Sequence, residues 1–236
     1  MTRQPDFWAV IPAGGIGRRM GAGKPKQYLK LLNRTVLEHS LQPFCEHPQI
    51  KGIAVVVADD DEHWPTLALS GHARVVTASA GRERCHSVLN GLKRIAEFAG
   101  DDDWVLVHDA ARPCVTAADI DRLIAGLRDH PVGGILALPV SDTVKQAGPD
   151  HDIQATLERE RLWRALTPQM FRLGLLRDSI AAAIDDNVLV TDEAQALEHR
   201  GYRPGIVRGG PHNIKVSMAE DLALAEFYLT EQARKQ

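Results

Sequence analysis

Short apolar runs of the kind that form β-strands alternate with helical patterns as far as Val140. Because parallel strands are connected by crossover helices, this alternation predicts βαβ units, an α/β fold and a mostly parallel sheet. Nearly every residue of Ile50–Ala58 is apolar, as expected for a strand whose sheet carries helices on both faces. The predicted strands are Trp8–Ile11, Ile50–Ala58, Ala73–Thr77, Trp104–Val107 and Gly133–Val140.

The alternation fails after Val140. Ser141–Gln154 contains two short polar segments around an Ala-Gly-Pro-Asp turn, which predicts a projecting β-hairpin. A two-stranded hairpin is only marginally stable by itself, so this arm is expected to lie against a partner surface, as in an intertwined homodimer. We place the arm at residues 141–156, within a single domain that covers residues 1–236.

Helical patterns dominate the remainder of the chain. The predicted helices are Glu158–Leu166, Phe171–Ile184 and Thr191–Arg200. Thr116 and Asp119 have the spacing of a capping box and predict the start of a helix that runs to about Asp129. Ser217 and Glu220 have the same spacing and predict the start of a terminal helix. Further upstream, the three acids Asp59–Asp61 are interpreted as the opening of a helix near Glu62 rather than as metal ligands, because acidic side chains stabilise a helix N-terminus.

The first strand runs directly into a glycine-rich, basic loop. Glycine lets the backbone turn without a Cβ clash, and consecutive N–H groups in such a turn form a concavity that favours anions. The glycines are Gly14, Gly15 and Gly17, and the basic residues after them are Arg18, Arg19, Lys24 and Lys26. These cations can pair with more than one phosphate, so the loop is interpreted as a clamp for a polyphosphate.

Two familiar nucleotide-binding loops do not fit this stretch. A P-loop ends in Gly-Lys-Ser/Thr, whereas Pro25 follows Lys24 here. A dinucleotide fingerprint requires a glycine three residues after Gly17, and that position is Met20. The acid expected about 20 residues further on would be Glu38, which lies in a helical pattern rather than at the end of a strand. An NAD-dependent reductase is therefore a weak alternative.

Two other predicted strands end in polar loops. Gly81 and Arg84 lie in the loop after the third strand, and Asp109 follows Trp104–Val107. Because ligands of open α/β sheets bind at the carboxyl ends of the strands, these loops are expected to share one site with the glycine-rich loop. Asp109 would there hold a metal–phosphate complex. The alternatives are that the second loop is a solvated charged turn and that Asp109 only caps a turn.

Composition excludes several other classes of protein. The 236 residues are 44% hydrophobic and 25% charged, and the formal net charge of −3 argues against a nucleic-acid partner. No apolar run approaches the ~20 residues that span a bilayer, so no membrane partner is expected, and the N-terminus has no apolar signal core. The cysteines, Cys45, Cys85 and Cys114, are odd in number and far apart, which points to the cytoplasm.

Several motifs, in this order along the chain, resemble the 2-C-methyl-D-erythritol 4-phosphate cytidylyltransferase family. They are Pro12–Met20, Pro25–Tyr28, the Val-His-Asp-Ala-Ala-Arg-Pro block Val107–Pro113, Thr191–Ala194 and Asn213–Lys215. The resemblance implies a Rossmann-like α/β fold with a protruding β-arm, a homodimer, and transfer of CMP from CTP to a polyol phosphate with Mg²⁺ or another divalent cation. This reaction belongs to isoprene biosynthesis.

The resemblance also assigns residues to roles. It implies that the triphosphate is wrapped by Ala13, Gly14, Gly15, Gly17, Arg19 and Lys26, of which Arg19 and Lys26 are catalytic. It implies that the rest of CTP contacts Gly81, Arg84, Ser87, Asp109 and Ala110, with Asp109 also near the metal. The acceptor would be held by Arg112, Thr143, Arg159, Thr191 and Lys215, some of them donated by the partner's arm.

Besides the reductase, two alternatives stay open. The acceptor could be another polyol phosphate, such as ribitol phosphate. The loops could also bind CTP without turning it over, in a nucleotide-sensing module, although the cationic pair Arg19 and Lys26 disfavours this.

Overall fold

The computed structural model describes residues 3–15 and 24–234. Its strands are β1 (Phe7–Pro12), β2 (Lys30–Leu31), β3 (Arg34–Thr35), β4 (Ile50–Val57), β5 (Val75–Ser79), β6 (Trp104–Val107), β7 (Gly133–Pro139), β8 (Val144–Ala147), β9 (Ile153–Leu157), β10 (Trp163–Arg172) and β11 (Gly205–Arg208). Seven of these form one sheet in the order β11-β7-β10-β6-β1-β4-β5. Only β10 runs antiparallel to its neighbours in this sheet. The predicted α/β fold with a mostly parallel sheet is confirmed.

Helices cover both faces of this sheet. They are α1 (Val36–Glu46), α2 (Arg84–Ile95), α3 (Ala117–Leu127), α4 (Leu173–Asp185), α5 (Glu193–His199) and α6 (Glu220–Ala233). The capping box predicted at Thr116 is confirmed, since Thr116 and Asp119 each accept the other's backbone N–H. Thr35 and Glu38 cap α1 in the same way. Such caps satisfy N–H groups that otherwise lack a partner and set where each helix begins.

Alternate residues of the central strands enter two separate cores. In β1, Ala9 and Ile11 face the core that α1 and α3 cover, whereas Val10 faces the core beneath α2 and α4. Because successive side chains of a strand point to opposite faces, a strand buried on both faces must be apolar at every position. This explains the continuous apolar run of β4, of which only Lys51 is exposed.

The predicted helix Glu158–Leu166 is wrong. Arg159–Arg161 forms only a short 3-10 turn, and the ten residues of β10 form a strand. This strand pairs antiparallel with both β6 and β7, so partners distant in sequence override the local pattern. Pro168 falls in the interval where pairing with β7 is interrupted, between Ala165 and Gln169, where proline interrupts no ladder hydrogen bond.

Two predictions about helix starts are also wrong. After the three acids, only a short 3-10 helix forms (Trp64–Thr66), and Asp61 accepts the N–H groups of His63 and Trp64. At the terminal helix, Ala219 makes no side-chain cap. The carboxylate of Asp221 instead accepts the N–H groups of Ser217 and Met218. Asp61 belongs to the predicted acidic triplet, whereas Asp221 caps the chain in place of the predicted pair Ser217 and Glu220.

The strands β8 and β9 pair with each other as a separate antiparallel sheet. Most of their residues are exposed, including Ile153 at 66%. Within residues 3–15 and 24–234, no helix is both long and apolar enough to cross a membrane.

Candidate active site

The ends of β1, β5 and β6 open onto one cleft of about 560 Å³. It lies at the carboxyl edge of the sheet, where α/β proteins bind ligands. The predicted site residues that line it are Ala13, Gly14, Gly15, Lys26, Gly81, Arg84, Ser87, Asp109, Ala110 and Lys215. The structure therefore brings the three loops together, as expected from the positions of their strands.

The glycine-rich loop packs directly on the second loop. A Cβ on Gly14 would lie 2.3 Å from the Cβ of Ala80, so a side chain at position 14 would separate the two loops. Gly81 is restricted in the same way, since its Cβ would lie 2.3 Å from that of His86. The backbone N–H of Gly81 donates to the hydroxyl of Ser87. Glycine is needed at these two positions for close backbone approach.

The buried amide of Gln27 orients the described part of the first loop. Its Nε2 donates to the carbonyl oxygens of Ala13, at 2.6 Å, and of Gly15, at 3.0 Å. An anion site built from N–H groups requires that nearby carbonyl oxygens point elsewhere. Gln27 binds two of these oxygens, a role that the sequence analysis did not assign.

Lys26 reaches the cleft from the short 3-10 helix Lys26–Tyr28. Its Nζ donates to the carbonyl of Val216 at 3.0 Å, and the N–H of Val216 donates to the carbonyl of Ala111. The lysine is thus linked to the loop that carries Asp109. Of the residues predicted to wrap the triphosphate, Gly17 and Arg19 lie outside the described residues.

Three cations surround the carboxylate of Asp109. Its Oδ1 accepts from Nε and Nη2 of Arg84 at 3.2 and 3.1 Å. Its Oδ2 lies 2.8 Å from Nζ of Lys215 and 3.6 Å from Nε of Arg112. Burial by itself would raise the pKa of Asp109, but the charges of these cations outweigh it and hold that pKa well below its usual range. Asp109 is therefore ionised.

A second cavity of about 210 Å³ adjoins the cleft. Arg84, Asp109 and Lys215 line both spaces, so these three side chains form a shared wall. The predicted acceptor residues Arg112 and Thr191 line the second cavity. The arrangement provides adjoining spaces for two anionic ligands on either side of one charged wall.

Uncharged groups fix the backbone beneath Asp109. The hydroxyl of Thr167 accepts the N–H of Asp109 and donates to Nδ1 of His108. Nε2 of His108 donates to the carbonyl of Arg112, which requires the neutral tautomer with its proton on Nε2. Burial lowers the pKa of His108 to about 4, so the ring is uncharged at neutral pH. The side-chain Nδ2 of Asn213 donates to the carbonyl of Thr167, and the backbone carbonyl of Asn213 accepts from Nη1 of Arg112.

A family model matches residues 7–231 of the chain, and that family is 2-C-methyl-D-erythritol 4-phosphate cytidylyltransferase. The chain belongs to this family. It is similar to the cytidylyltransferase of Pseudomonas entomophila, with 52% identity over 222 residues and 94% of each chain covered. The enzyme of Vibrio atlanticus is 51% identical over 230 residues, which cover 98% of each chain.

Solved structures of cytidylyltransferases from the same family match the whole fold. The 2-C-methyl-D-erythritol 4-phosphate cytidylyltransferase of Francisella tularensis superposes with a TM-score of 0.82 at 36% identity, covering 94% of this chain and 99% of that chain. The Thermus thermophilus enzyme gives a TM-score of 0.77 at 28% identity, covering 94% and 98%. The resemblance read from the sequence is confirmed over nearly the whole chain.

Two predicted acceptor residues of this cytidylyltransferase lie apart from the cleft. Thr143 precedes β8 and Arg159 follows β9, so both are exposed at the base of the arm, and they line neither cavity. Nη1 of Arg159 donates to the carbonyl of Ser141. Within one chain, the structure does not bring these two residues together with Arg112, Thr191 and Lys215.

Some residues of the quoted motifs have contacts that the sequence did not predict. Gln27, Asn213 and Glu193 belong to those motifs, but no role was assigned to their side chains. Glu193 is buried and pairs with Arg84. A glutamate at the start of a short helix carries no local sign of burial, because its partner lies 109 residues away. Only the motif itself could have pointed to it.

Proposed function

We propose that the cleft and the adjoining cavity are where this cytidylyltransferase transfers CMP from CTP to 2-C-methyl-D-erythritol 4-phosphate. The products are the CDP-linked methylerythritol and pyrophosphate, in the synthesis of isoprenoid precursors. The observation that supports this assignment most directly is the wall of Arg84, Asp109 and Lys215 between two joined spaces. The larger space, about 560 Å³, is within the range of small-molecule pockets.

The reaction requires charge neutralisation rather than a general base. The second pKa of a phosphate monoester is ~6, so the acceptor is already an anionic nucleophile at neutral pH. One of its oxygens attacks the α-phosphorus of CTP. The bond from that phosphorus to the oxygen bridging to the β-phosphate breaks, and pyrophosphate leaves in line. Catalysis then consists mainly of positioning two anions and cancelling their repulsion.

The cations of the site divide between the two substrates. The N–H groups of the first loop, together with Lys26 and Arg19, are assigned to the triphosphate. Nζ of Lys26 is bound to a neutral carbonyl, and exchange for a phosphate oxygen gives a stronger, charge-assisted hydrogen bond. Arg112, Thr191 and Lys215 are assigned to the acceptor.

Asp109 is the residue assigned to a divalent cation, which would take the place of Arg84 or Lys215 on one carboxylate oxygen. Mg²⁺ in nucleotide enzymes is held by one or two carboxylates together with substrate phosphates, so a dedicated cage is not needed. Asp109 would supply the protein ligand, and the ion would neutralise charge on the phosphates.

The arm supports a homodimeric assignment. Its exposed apolar side chain Ile153 and the positions of Thr143 and Arg159 outside both cavities are accounted for if each arm reaches the partner's acceptor cavity.

The three cysteines are buried and free, which agrees with a cytoplasmic location.

The proposed activity is tested by measuring pyrophosphate release with each of the four nucleoside triphosphates, with and without methylerythritol phosphate. Release is expected only with CTP and the acceptor together. Ribitol phosphate in place of the acceptor should give little product, and equal rates would favour the alternative acceptor.

Lys26→Ala should lower kcat by at least ~10²-fold, as is typical for loss of one preorganised charge-stabilising group. Lys30→Ala, an exposed lysine nearby, is the matched control.

Assignment of Arg159 to the partner's site is tested by subunit mixing. Lys26→Ala and Arg159→Ala should each be impaired alone. In a mixed dimer, the protomer that retains Lys26 receives an intact Arg159 from the other protomer, so activity should partly return. If mixing restores no activity although mixed dimers form, Arg159 acts within its own chain.

A further inference from the structure

Glu193 is a buried charge that the proposed mechanism does not use. Its side chain is 1% exposed, and it lines neither the cleft nor the acceptor cavity. Burial raises the pKa of Glu193, so this carboxylate needs strong partners to stay ionised. A buried carboxylate beside a site, yet out of reach of either substrate, must act through another residue.

That residue is Arg84. Oε1 of Glu193 accepts from Nη1 of Arg84 at 2.6 Å, and Oε2 accepts from Nη2 at 3.2 Å. The other edge of the same guanidinium, Nε and Nη2, donates to Asp109. Glu193 thus forms a fork of two hydrogen bonds on the end of the guanidinium, and Asp109 binds the adjacent edge, so the orientation of this planar cation is fixed as a single contact could not fix it.

The position of Glu193 is itself fixed by the helix turn that carries it. It lies in the first turn of α5, where a negative charge is favoured by the helix dipole. The side chain of Gln169 ties that turn to β10, since its Nε2 donates to Asp192 and its Oε1 accepts from the N–H of Ala194. The fork on Arg84 is thus anchored to the central sheet.

We infer that Glu193 is a positioning residue that fixes Arg84 in the wall shared by the nucleotide and acceptor cavities. The inference rests on the proposed function, because it treats these cavities as the two substrate sites. Glu193 follows the acceptor residue Thr191 by two positions, whereas Arg84 lines both cavities. The pair therefore links the two substrate sites through one ion pair.

The balance of charge around Arg84 predicts how removal of the Glu193 carboxylate should change substrate binding. Arg84, Arg112 and Lys215 carry three positive charges against the two negative charges of Asp109 and Glu193. Without Glu193, Arg84 keeps only Asp109 and becomes free to turn about its long side chain. Both substrates would then meet a displaced cation, so the KM values for CTP and for the acceptor should rise together.

The experiment compares Glu193→Gln, Glu193→Asp and the control Glu198→Gln, an exposed glutamate on the same helix. Gln removes the charge, and Asp keeps it but is one methylene too short for the fork. We expect both Glu193 variants to raise both KM values by about tenfold, and Glu198→Gln to leave them unchanged. Partial unfolding would lower only the apparent kcat, because it reduces the number of active molecules. Glu193→Asp alone decides the matter if Glu193→Gln does not fold.

A double-mutant cycle tests whether the effect passes through Arg84. Arg84→Lys keeps the charge but cannot form the fork, so adding Glu193→Gln to it should raise neither KM further. Unchanged KM values in the single Glu193 variants, or an equal rise in the Arg84→Lys background, would overturn the inference. CTP affinity measured by calorimetry without acceptor gives the same comparison even if wild-type protein fails to transfer CMP, a failure that would count against the proposed function alone.

Discussion

Two buried aspartates lie at opposite ends of β6 and are held in different ways. Asp103, just before the strand, accepts the backbone N–H groups of Asp6 and Gly100. It also pairs with Arg3, whose side chain is 62% exposed. Asp109, just after the strand, is held by the cationic side chains of Arg84, Lys215 and Arg112.

The difference fits a structural role for Asp103 and the substrate-binding and metal-binding role proposed for Asp109. Backbone N–H groups are fixed by the fold, so Asp103 joins the N-terminal segment to the start of β6 and has nothing to exchange. The cations on Asp109 sit at the rim of a cleft and can turn toward an incoming phosphate. The pKa of each aspartate is lowered against the effect of burial, chiefly by Arg3 in one case and Arg84 in the other.

The largest effect is expected for Asp109→Asn. An amide cannot balance three cations, and we expect kcat/KM for CMP transfer to fall by about 10³-fold. The loss should persist after correction for the folded fraction, which is measured by circular dichroism. If well-folded Asp109→Asn protein kept kcat/KM within about tenfold of wild type, the cations would be held by other groups and the contrast with Asp103 would fail.

Asp103→Asn should have the reverse profile. The substitution breaks the pair with Arg3. It also replaces one acceptor oxygen with an NH2 group, so one of the two backbone N–H groups loses its acceptor, which should lower the free energy of unfolding by about 3 kcal/mol. The kcat of the folded fraction should change less than about twofold, since the residue lies at the far end of the strand from the cleft. Urea unfolding and pyrophosphate release measured on one preparation provide both values. Asp102→Asn, exposed beside it, is the control.

Mild acid should lower the free energy of unfolding through His108, which lies at the same end of β6 as Asp109. This effect should be smaller than the two above. His108 is neutral in the fold with a pKa of about 4, whereas an unfolded histidine titrates near ~6.5. Between these values the unfolded chain binds a proton that the folded chain does not. Stability therefore falls as the pH is lowered, by about 2 kcal/mol from pH 7 to pH 5.

His108→Asn should remove that part of the pH dependence, whereas His151→Asn, on the exposed turn of the arm, should not. Unfolding free energies from urea titrations at the two pH values provide the measurement. An unchanged slope in His108→Asn would mean that another group takes up the proton.

Local patterns predicted most of the fold. Trp104–Val107 was predicted with its observed bounds, and Thr116 caps α3 as its spacing indicated. Both depend on residues within one turn or one strand. β10 was missed because its strand identity depends on β6 and β7, whose residues lie far away in sequence. The cap at Asp221 was missed because Glu220 and Asp221 are adjacent acids, and spacing alone does not decide which of them accepts the N–H groups of Ser217 and Met218.

Some features of the candidate site also follow from local sequence, and others depend on long-range contacts. Loops that follow parallel strands must meet at one edge of a sheet, so convergence of Gly14, Gly81 and Asp109 followed from their positions in the sequence. The identities of the glycines and cations also determined that the ligand is anionic. Which charges touch could not be read from spacing, because Arg84 and Glu193 are 109 residues apart.

The amino-acid sequence by itself determined the α/β fold, the edge of the sheet where the polar loops meet and the positive charge gathered there, because each of these depends on local periodicity and residue type. Only the tertiary structure decided that Asp103 is held by backbone N–H groups and one exposed arginine, that Asp109 is held by three cations at a cleft, and that Glu193 contacts Arg84. A carboxylate is chemically the same at every position, and its role depends on the partners that long-range packing brings to it.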